Sequence, residues 1–176
     1  MRALEERGRD ADHAVTGLYL THYRPLVRIA ALLVQDLATA EEIVQDSFVA
    51  LHAAWRRLPD ADHALSYLHR SVIDRSRSAL RQHVVVDKLA PGLLSDPGDH
   101  GDHGDLGIEV ERSAFISALW TLPARQREVV VLRYFADLPE TQVASATGIS
   151  AGAVKAHAAR AMSSLRAELR KASDRP

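Results

Sequence analysis

The chain has 176 residues, 22 basic and 23 acidic, with a formal net charge of −1 and a hydrophobic content of 47%. This length allows one medium domain or two small ones with a folded core. Cysteine is absent, which excludes disulfides, thiolate zinc sites and a cysteine nucleophile. No apolar run is long enough to cross a membrane, and the first ten residues lack the apolar stretch of a secretory signal, so we expect a cytoplasmic protein without membrane contact.

The near-zero net charge conceals an uneven distribution. Residues 66–83 carry a net charge of +3 and residues 150–171 carry +4, whereas residues 87–112 carry −5. The position of charge matters more than its total for a nucleic-acid partner. The sequence therefore predicts two basic surfaces separated by an acidic strap.

Helical periodicity runs through residues 12–86, which we predict to be one domain. A first helix has Pro25 in its first turn. A second helix covers about 40–58 with Thr39 as its N-cap, and a third covers about 64–83. The second helix has apolar residues at spacings of four and three: Val44, Phe48, Leu51, Trp55 and Leu58.

Residues 87–110 are rich in Gly, Pro and Asp. Such a composition cannot offset the entropy of ordering, so we predict a flexible acidic linker. Its GDHGDHGD repeat allows two interpretations. His100 and His103 with the neighbouring aspartates are of the types that ligate a divalent metal, although flexible glycines oppose a preorganised site. The second interpretation follows only from the family resemblance given below, which implies that a negatively charged segment in a channel built for RNA would act as an RNA mimic.

Residues 111–172 form a second predicted domain of four helices, and its last two have the spacing of a helix-turn-helix. Ala144 is small enough for two helices to approach closely, and Gly148 follows where the turn needs a positive φ. Ser150 is the expected N-cap of the last helix. The buried stripe of that helix is predicted to be Val154, Ala158, Ala161, Leu165 and Leu169. Cations lie mostly off this stripe, which suits a helix that lies against DNA phosphates.

Two of these stretches resemble one family. The stretch DLATAEEIVQDSFVALHAAW (36–55) resembles the helix of bacterial sigma factors that binds core RNA polymerase, and residues 122–169 resemble their region 4. The stretch YLHRSVIDRSRSALRQH (67–83) is similar to the promoter-melting part of region 2 in actinobacterial members. Because the linker joins the two regions directly, the chain resembles the small extracytoplasmic-function (ECF) class.

The resemblance implies an all-α fold with two small helical domains, a σ2-like bundle over 12–86 and a σ4-like helix-turn-helix domain over 111–172, joined by the flexible acidic linker 87–110. It implies an alternative sigma factor that binds the β′ clamp helices and the β flap of core RNA polymerase. The first domain would melt and hold the −10 element as a single strand, and the second would bind the −35 element as duplex. Anti-sigma factors are frequent partners in this class, although the sequence carries no readable mark of one.

The resemblance also assigns site residues. The exposed side of the second helix is expected to contact polymerase through Glu41, Glu42, Gln45, Asp46 and Val49. The −10 strand is expected to meet residues with stacking or cationic side chains: His63, Tyr67, Arg70, Arg75, Arg77 and Arg81. We expect Asp74 to pair with Arg70, Arg77 or Arg81, because a carboxylate repels phosphate.

In the second domain, residues of the recognition helix and the preceding helix are expected to meet the −35 duplex: Arg125, Arg127, Ser150, Lys155, Ala156, His157, Ala159 and Arg160. Few of these side chains make bidentate base contacts, so recognition is expected to depend on Lys155, Arg160, backbone amides and DNA shape. Alanine still meets a thymine methyl group.

Two other classes of function are less consistent with the sequence. A free-standing helix-turn-helix regulator shares the C-terminal motif but needs its own dimer interface or receiver domain, and the N-terminal half shows no alternation of strands and helices. A hydrolase is disfavoured because the nine histidines are scattered, with neither HExxH spacing nor a Gly-x-Ser-x-Gly elbow. We expect no enzyme activity, no cofactor and no metal.

Overall fold

The computed structural model describes the backbone of residues 2–89 and 110–173 and the side chains of residues 11–82 and 114–172. Seven α-helices occur in these ranges, and no strand does. We call residues 2–89 the N-terminal half and residues 110–173 the C-terminal half. The predicted all-α fold is confirmed within the described residues. Most of the predicted linker, residues 90–109, lies outside the described residues. Its first three residues belong to α3, which continues to Leu89, and its last residue, Val110, begins α4.

The N-terminal half contains α1 (Arg2–Val34), α2 (Leu37–Ala54) and α3 (Ala61–Leu89), with one 3₁₀ turn (Trp55–Arg57) after α2. The predicted start of the first helix is wrong, because Pro25 lies inside α1. Apolar residues at spacings of four and three, Ala11, Val15 and Leu18, extend the inner stripe of α1 before the proline, and packing outweighs the missing N–H.

The junction of α1 and α2 differs from the predicted one. Gln35 has a φ of 60°, which breaks the helix, and Asp36 is the N-cap of α2. The Asp36 carboxylate accepts hydrogen bonds from the amide of Thr39, at 2.7 Å, and from its hydroxyl. Thr39 is therefore a donor in the first turn rather than the predicted cap, since an ionised acceptor satisfies the free N–H groups of a helix start better than a hydroxyl does.

The C-terminal half contains α4 (Val110–Thr121), α5 (Ala124–Val130), α6 (Glu140–Thr147) and α7 (Ala151–Ser173). A π-helical segment, Val131–Phe135, extends α5 and was not predicted. The predicted turn of the helix-turn-helix is confirmed. Gly148 ends α6 with a φ of 73°, and the Ser150 hydroxyl accepts a hydrogen bond from the Ala153 amide at 3.1 Å.

A contiguous apolar cluster passes through both halves. In the N-terminal half its largest members include Leu26, Leu51 and Leu68, and in the C-terminal half they include Leu119 and Leu132. Helix α3 packs against α6, and α1 packs against the π-helical segment. The two halves are therefore in direct contact, with α3 lying beside the first helix of the helix-turn-helix.

Candidate polymerase and nucleic-acid interfaces

The outer face of α2 is the first candidate interface. Its inner face is buried through Val44, Phe48 and Leu51, as the apolar spacing predicts. The five residues expected to contact polymerase are all exposed: Glu41, Glu42, Gln45, Asp46 and Val49. Val49 is 70% exposed, so an apolar side chain lies open to solvent among carboxylates. Exposed apolar side chains with a polar surround are typical of a surface that meets another protein.

Polar contacts connect this face to α3. The Arg75 guanidinium donates to the Asp46 carboxylate at 3.1 Å and to the Ser71 hydroxyl at 3.3 Å. The Ser71 hydroxyl in turn donates to the buried Ser47 hydroxyl at 3.0 Å. A residue expected to contact polymerase and a residue expected to contact DNA are thus held together, which fixes the Arg75 head relative to α2.

The residues expected to bind the −10 strand do not lie on one face of α3. His63 and Arg70 are exposed and Tyr67 is half-buried. Arg81 is exposed and donates to the Ser78 hydroxyl at 2.9 Å. The Asp60 carboxylate caps the start of the helix and accepts from the His63 amide at 2.9 Å, and this bond holds the pKa of Asp60 below its ordinary value.

The expected partner of Asp74 is found on its own helix. Its carboxylate pairs with Arg70 at 3.8 Å and with Arg77 at 3.3 Å. The prediction that Asp74 pairs with neighbouring arginines is confirmed. These pairs are solvent-exposed on the Asp74 side, so they contribute little to stability and leave Arg70 free to change partner.

Arg77 is placed differently from the other arginines of α3, because it points across to the C-terminal half. Its Nε and Nη2 atoms donate to the two carboxylate oxygens of Glu128, at 2.8 and 2.7 Å. Nη2 also donates to the Thr147 carbonyl at 3.0 Å. The hydrogen bonds to Glu128 raise the pKa of the Arg77 guanidinium above its ordinary value. Glu128, whose side chain is 7% exposed, was not identified from the sequence.

The two arginines of α5 behave differently from each other. Arg125 is exposed and donates to the Thr147 carbonyl at 3.0 Å and to Glu128 at 3.4 Å. Arg127 is buried, with its guanidinium 3.7 Å from the centre of the Trp120 ring, and burial lowers its pKa. In this arrangement Arg127 is not accessible to a phosphate, because its side chain is buried and its guanidinium lies against the Trp120 indole.

The recognition helix α7 presents most of the expected groove-facing residues to solvent. Lys155, Ala159 and Arg160 are exposed, and Ser150 lies exposed at the N-terminus. The Lys155 ammonium pairs with Glu140 of α6 at 3.6 Å. Two of the predicted residues, Ala156 and His157, are half-buried, and they lie at the margin of the open face.

Sequence reasoning also missed exposed aromatic side chains in the C-terminal half. Tyr134 and Phe135 of the π-helical segment are about half exposed, and the Phe135 ring lies 5.9 Å from that of Phe115. In the two described ranges no group of three or more His, Asp or Glu is suited to a metal ion. The described helices include none that is both long and apolar enough to cross a membrane.

Each half of the chain matches a family model of known proteins. Residues 18–84 match the family model for sigma-70 region 2, and residues 112–165 match the one for sigma-70, region 4. The RNA polymerase sigma-E factor of Streptomyces avermitilis is 31% identical over 153 residues, covering 85% of this chain and 81% of that protein. The sigma-E factor of Streptomyces coelicolor is 30% identical over 149 residues, covering 85% and 82%.

Solved structures share the fold. The sigma factor RpoE of Bartonella quintana, crystallised with the anti-sigma factor NepR, superposes with a TM-score of 0.69 at 22% identity, covering 91% of this chain and 98% of that one. CnrH, in complex with the cytosolic domain of CnrY, gives a TM-score of 0.59 at 23% identity, covering 94% and 96%.

A chain whose described elements are helical, with sigma-70 region 2 followed by region 4, is a transcription initiation factor. This chain belongs to the sigma-70 family, in the ECF class with regions 2 and 4. It is an alternative sigma factor, which binds core RNA polymerase and directs promoter-specific transcription initiation. A free-standing regulator, the alternative expected from the helix-turn-helix, does not account for the match to region 2.

Proposed function

We propose that residues 12–86 form the domain that docks on core polymerase and melts the −10 element, and that residues 111–172 form the domain that binds the −35 element. The observation that carries this division is the order of region 2 and region 4 along one chain. Catalysis of RNA synthesis then belongs to the core enzyme and not to this chain. Because its partner enzyme works there, the cytoplasm is the expected compartment.

Polymerase docking uses the outer face of α2 in this proposal. Val49 supplies an exposed apolar centre, and the surrounding carboxylates and amide supply the polar rim. The expected contact is with the β′ clamp helices. The exposed aromatics Tyr134 and Phe135 suit the other expected contact, with the β flap, because aromatic side chains supply large contact area at interfaces.

Promoter binding is divided between α3 and α7. On α3 the exposed cations Arg70 and Arg81 suit the phosphates of the displaced −10 strand, and Tyr67 offers a stacking face. On α7 the exposed Lys155 and Arg160 suit the −35 duplex phosphates. The helix N-terminus at Ser150 adds free amides, and small side chains leave room for close approach to the groove.

An anti-sigma factor is a further proposed partner. The two structural relatives were each solved with a partner, the anti-sigma factor NepR for RpoE and the cytosolic domain of CnrY for CnrH. We expect such a partner to compete with core polymerase for the outer face of α2. No metal or cofactor has a role in this proposal.

The test is run-off transcription with purified core polymerase on a library of genomic fragments. We expect the full chain to give defined start sites, and Val49→Asp to abolish them by placing a charge at the centre of the docking face. Ala167→Asp is the matched control, because it adds the same charge at an exposed position near the C-terminal end of α7. Absence of any start site with the unaltered chain would contradict the proposed function.

A further inference from the structure

The contact between the two halves contains a part-buried ionic cluster. Its members are Arg77 of α3, Glu128 of α5 and the carbonyl of Thr147 at the end of α6, and we call them the latch. Arg77 binds both oxygens of Glu128, in a bidentate geometry, while its side chain is 21% exposed. Bidentate geometry of this kind, with Glu128 buried and Arg77 half-buried, is among the stronger forms of protein ion pair and is specific for orientation.

The latch borders a small gap between the halves. Three apolar side chains, Leu33, Leu80 and Ala124, line this gap together with Ser76 and Arg127. In this surround an unpaired charge is costly, so the halves meet in this register only when Arg77 faces Glu128. Separation is nevertheless tolerable for the C-terminal half, because Arg125 remains a partner for Glu128 at 3.4 Å.

The latch occupies the donors that DNA would need. In the closed arrangement the Nε and Nη2 atoms of Arg77 face Glu128 and Thr147, and Nη1 donates to Asp74 at 3.3 Å. Arg125 is likewise turned onto the Thr147 carbonyl. One guanidinium cannot present the same N–H groups to Glu128 and to a phosphate. The recognition face of α7, in contrast, stays open, and Lys155 is 70% exposed.

We propose that the Arg77–Glu128 pair is an autoinhibitory latch that holds the free chain closed and withholds Arg77 from the promoter strand until core polymerase separates the two halves. The occupant that replaces Glu128 is a DNA phosphate, whose two non-bridging oxygens can also accept two N–H groups of one guanidinium. This proposal rests on the proposed role of Arg77 in holding the −10 strand. Only open chains can bind polymerase in this way, so the apparent affinity is the intrinsic affinity multiplied by the fraction of chains that are open.

The conformational arm of the test measures the separation of the halves in the full chain without partners. Because the chain has no cysteine, Thr16→Cys and Ser163→Cys introduce unique dye positions at exposed sites of α1 and α7. We expect one closed population in low salt by single-molecule energy transfer. Glu128→Gln and Arg77→Gln, which break the pair from opposite sides, should each add an open population.

Asp74→Asn is the matched control, since it removes a carboxylate of equal charge that also touches Arg77 but lies on the same helix. It should leave the closed population unchanged. Two variants are used because a buried Glu128→Gln change could unfold the C-terminal half, which circular dichroism would show, whereas Arg77→Gln leaves that half unaltered. If the parent is as open as both variants, or if both variants stay as closed as the parent, the latch does not exist.

The functional arm measures affinity for core polymerase by fluorescence anisotropy of the labelled chain. We expect Glu128→Gln to bind ten- to a hundredfold more tightly, the order of magnitude of coupling between sites, and Asp74→Asn to bind as the parent does. Opening without any gain in affinity would overturn the autoinhibitory role. If no form binds polymerase, the proposed function fails, whereas opening seen by energy transfer still supports the latch as a conformational device.

Discussion

At the scale of single residues, the interior of the N-terminal half holds an ionisable side chain that stays neutral. His69 of α3 is 8% exposed, and burial, with a smaller contribution from nearby His22, lowers its pKa to about 4. An unfolded histidine has a pKa of about 6.5. Because the unfolded chain binds this proton more readily, acid favours unfolding. The stabilising effect of neutral His69 is complete above about pH 6.5 and is lost as the pH falls towards 4.

We therefore expect the free energy of unfolding to fall by about 2 kcal/mol between pH 7.5 and pH 5 through this residue alone. His69→Leu should remove that part of the pH dependence, and urea titrations of both forms at the two pH values measure it. The control is His13→Ala, at an exposed position of α1 that loses little solvation on folding. An equal slope in the parent and in His69→Leu would contradict the assignment.

The prediction for the recognition helix α7 concerns the contact of Lys155 with a DNA phosphate. Lys155→Ala should weaken binding of the −35 duplex several-fold and lower the salt dependence of the binding constant by about 0.9, the effect of one phosphate contact. Lys171→Ala is the matched control, because it removes the same charge from an equally exposed position at the far end of α7. Anisotropy titrations of a labelled promoter duplex at several salt concentrations measure both. Equal losses in the two variants would show a general charge effect instead.

For the site residues, the sequence predicts which side chains are exposed but not which partners they contact. Exposure of the α2 face followed from apolar spacing, because the inner stripe determines which side chains point outward. The partner of Arg77 did not follow, since Glu128 lies 51 residues away and periodicity does not say which faces of two domains meet. Arg127 was expected to contact the −35 duplex for the same reason. Only the packed structure shows that an indole covers it.

At the scale of elements, helix existence was predictable and helix ends were less so. The inner stripes of α2 and α7 were correct at Val44, Leu51, Val154 and Leu165. Pro25 was expected to start a helix, and it lies within α1 because tertiary packing outweighs one lost hydrogen bond. The π-helical segment had no sequence signal. The Leu138 amide donates to the Leu132 carbonyl within this segment, and helical periodicity does not indicate such a bond.

Two glycines test the backbone geometry of these elements. Gly148 has a φ of 73°, and an added Cβ would meet nothing within 4 Å, so the cost of Gly148→Ala is purely conformational. We expect a loss of about 1–2 kcal/mol in the free energy of unfolding. Gly17 also leaves an added Cβ unobstructed but lies in helical α1, so Gly17→Ala should stabilise by about 0.5–1 kcal/mol. Urea titration compares the two, and shifts of the same sign would contradict the left-handed turn.

At the scale of the whole molecule, the contiguous apolar cluster and the latch couple two halves that the family models treat as separate regions. Cooperative unfolding requires that neither half stay folded when the other unfolds. The chain has one tryptophan in each half, Trp55 after α2 and Trp120 in α4. Each half therefore carries its own fluorescent reporter.

Trp120→Phe leaves Trp55 as the reporter of the N-terminal half, and Trp55→Phe leaves Trp120 as the reporter of the C-terminal half. We expect both variants to unfold at the same urea midpoint. Adding Glu128→Gln should separate the two midpoints, because the loss of hydrogen bonds to a charged group weakens the contact between halves by about 1–3 kcal/mol. Asp74→Asn should leave them coincident, since its contact lies within α3. Trp120 stacks on Arg127, so circular dichroism of each single-tryptophan form checks that the fold is retained. Separate midpoints in the parent background would mean that the halves fold independently and that their contact contributes too little to hold the free chain closed.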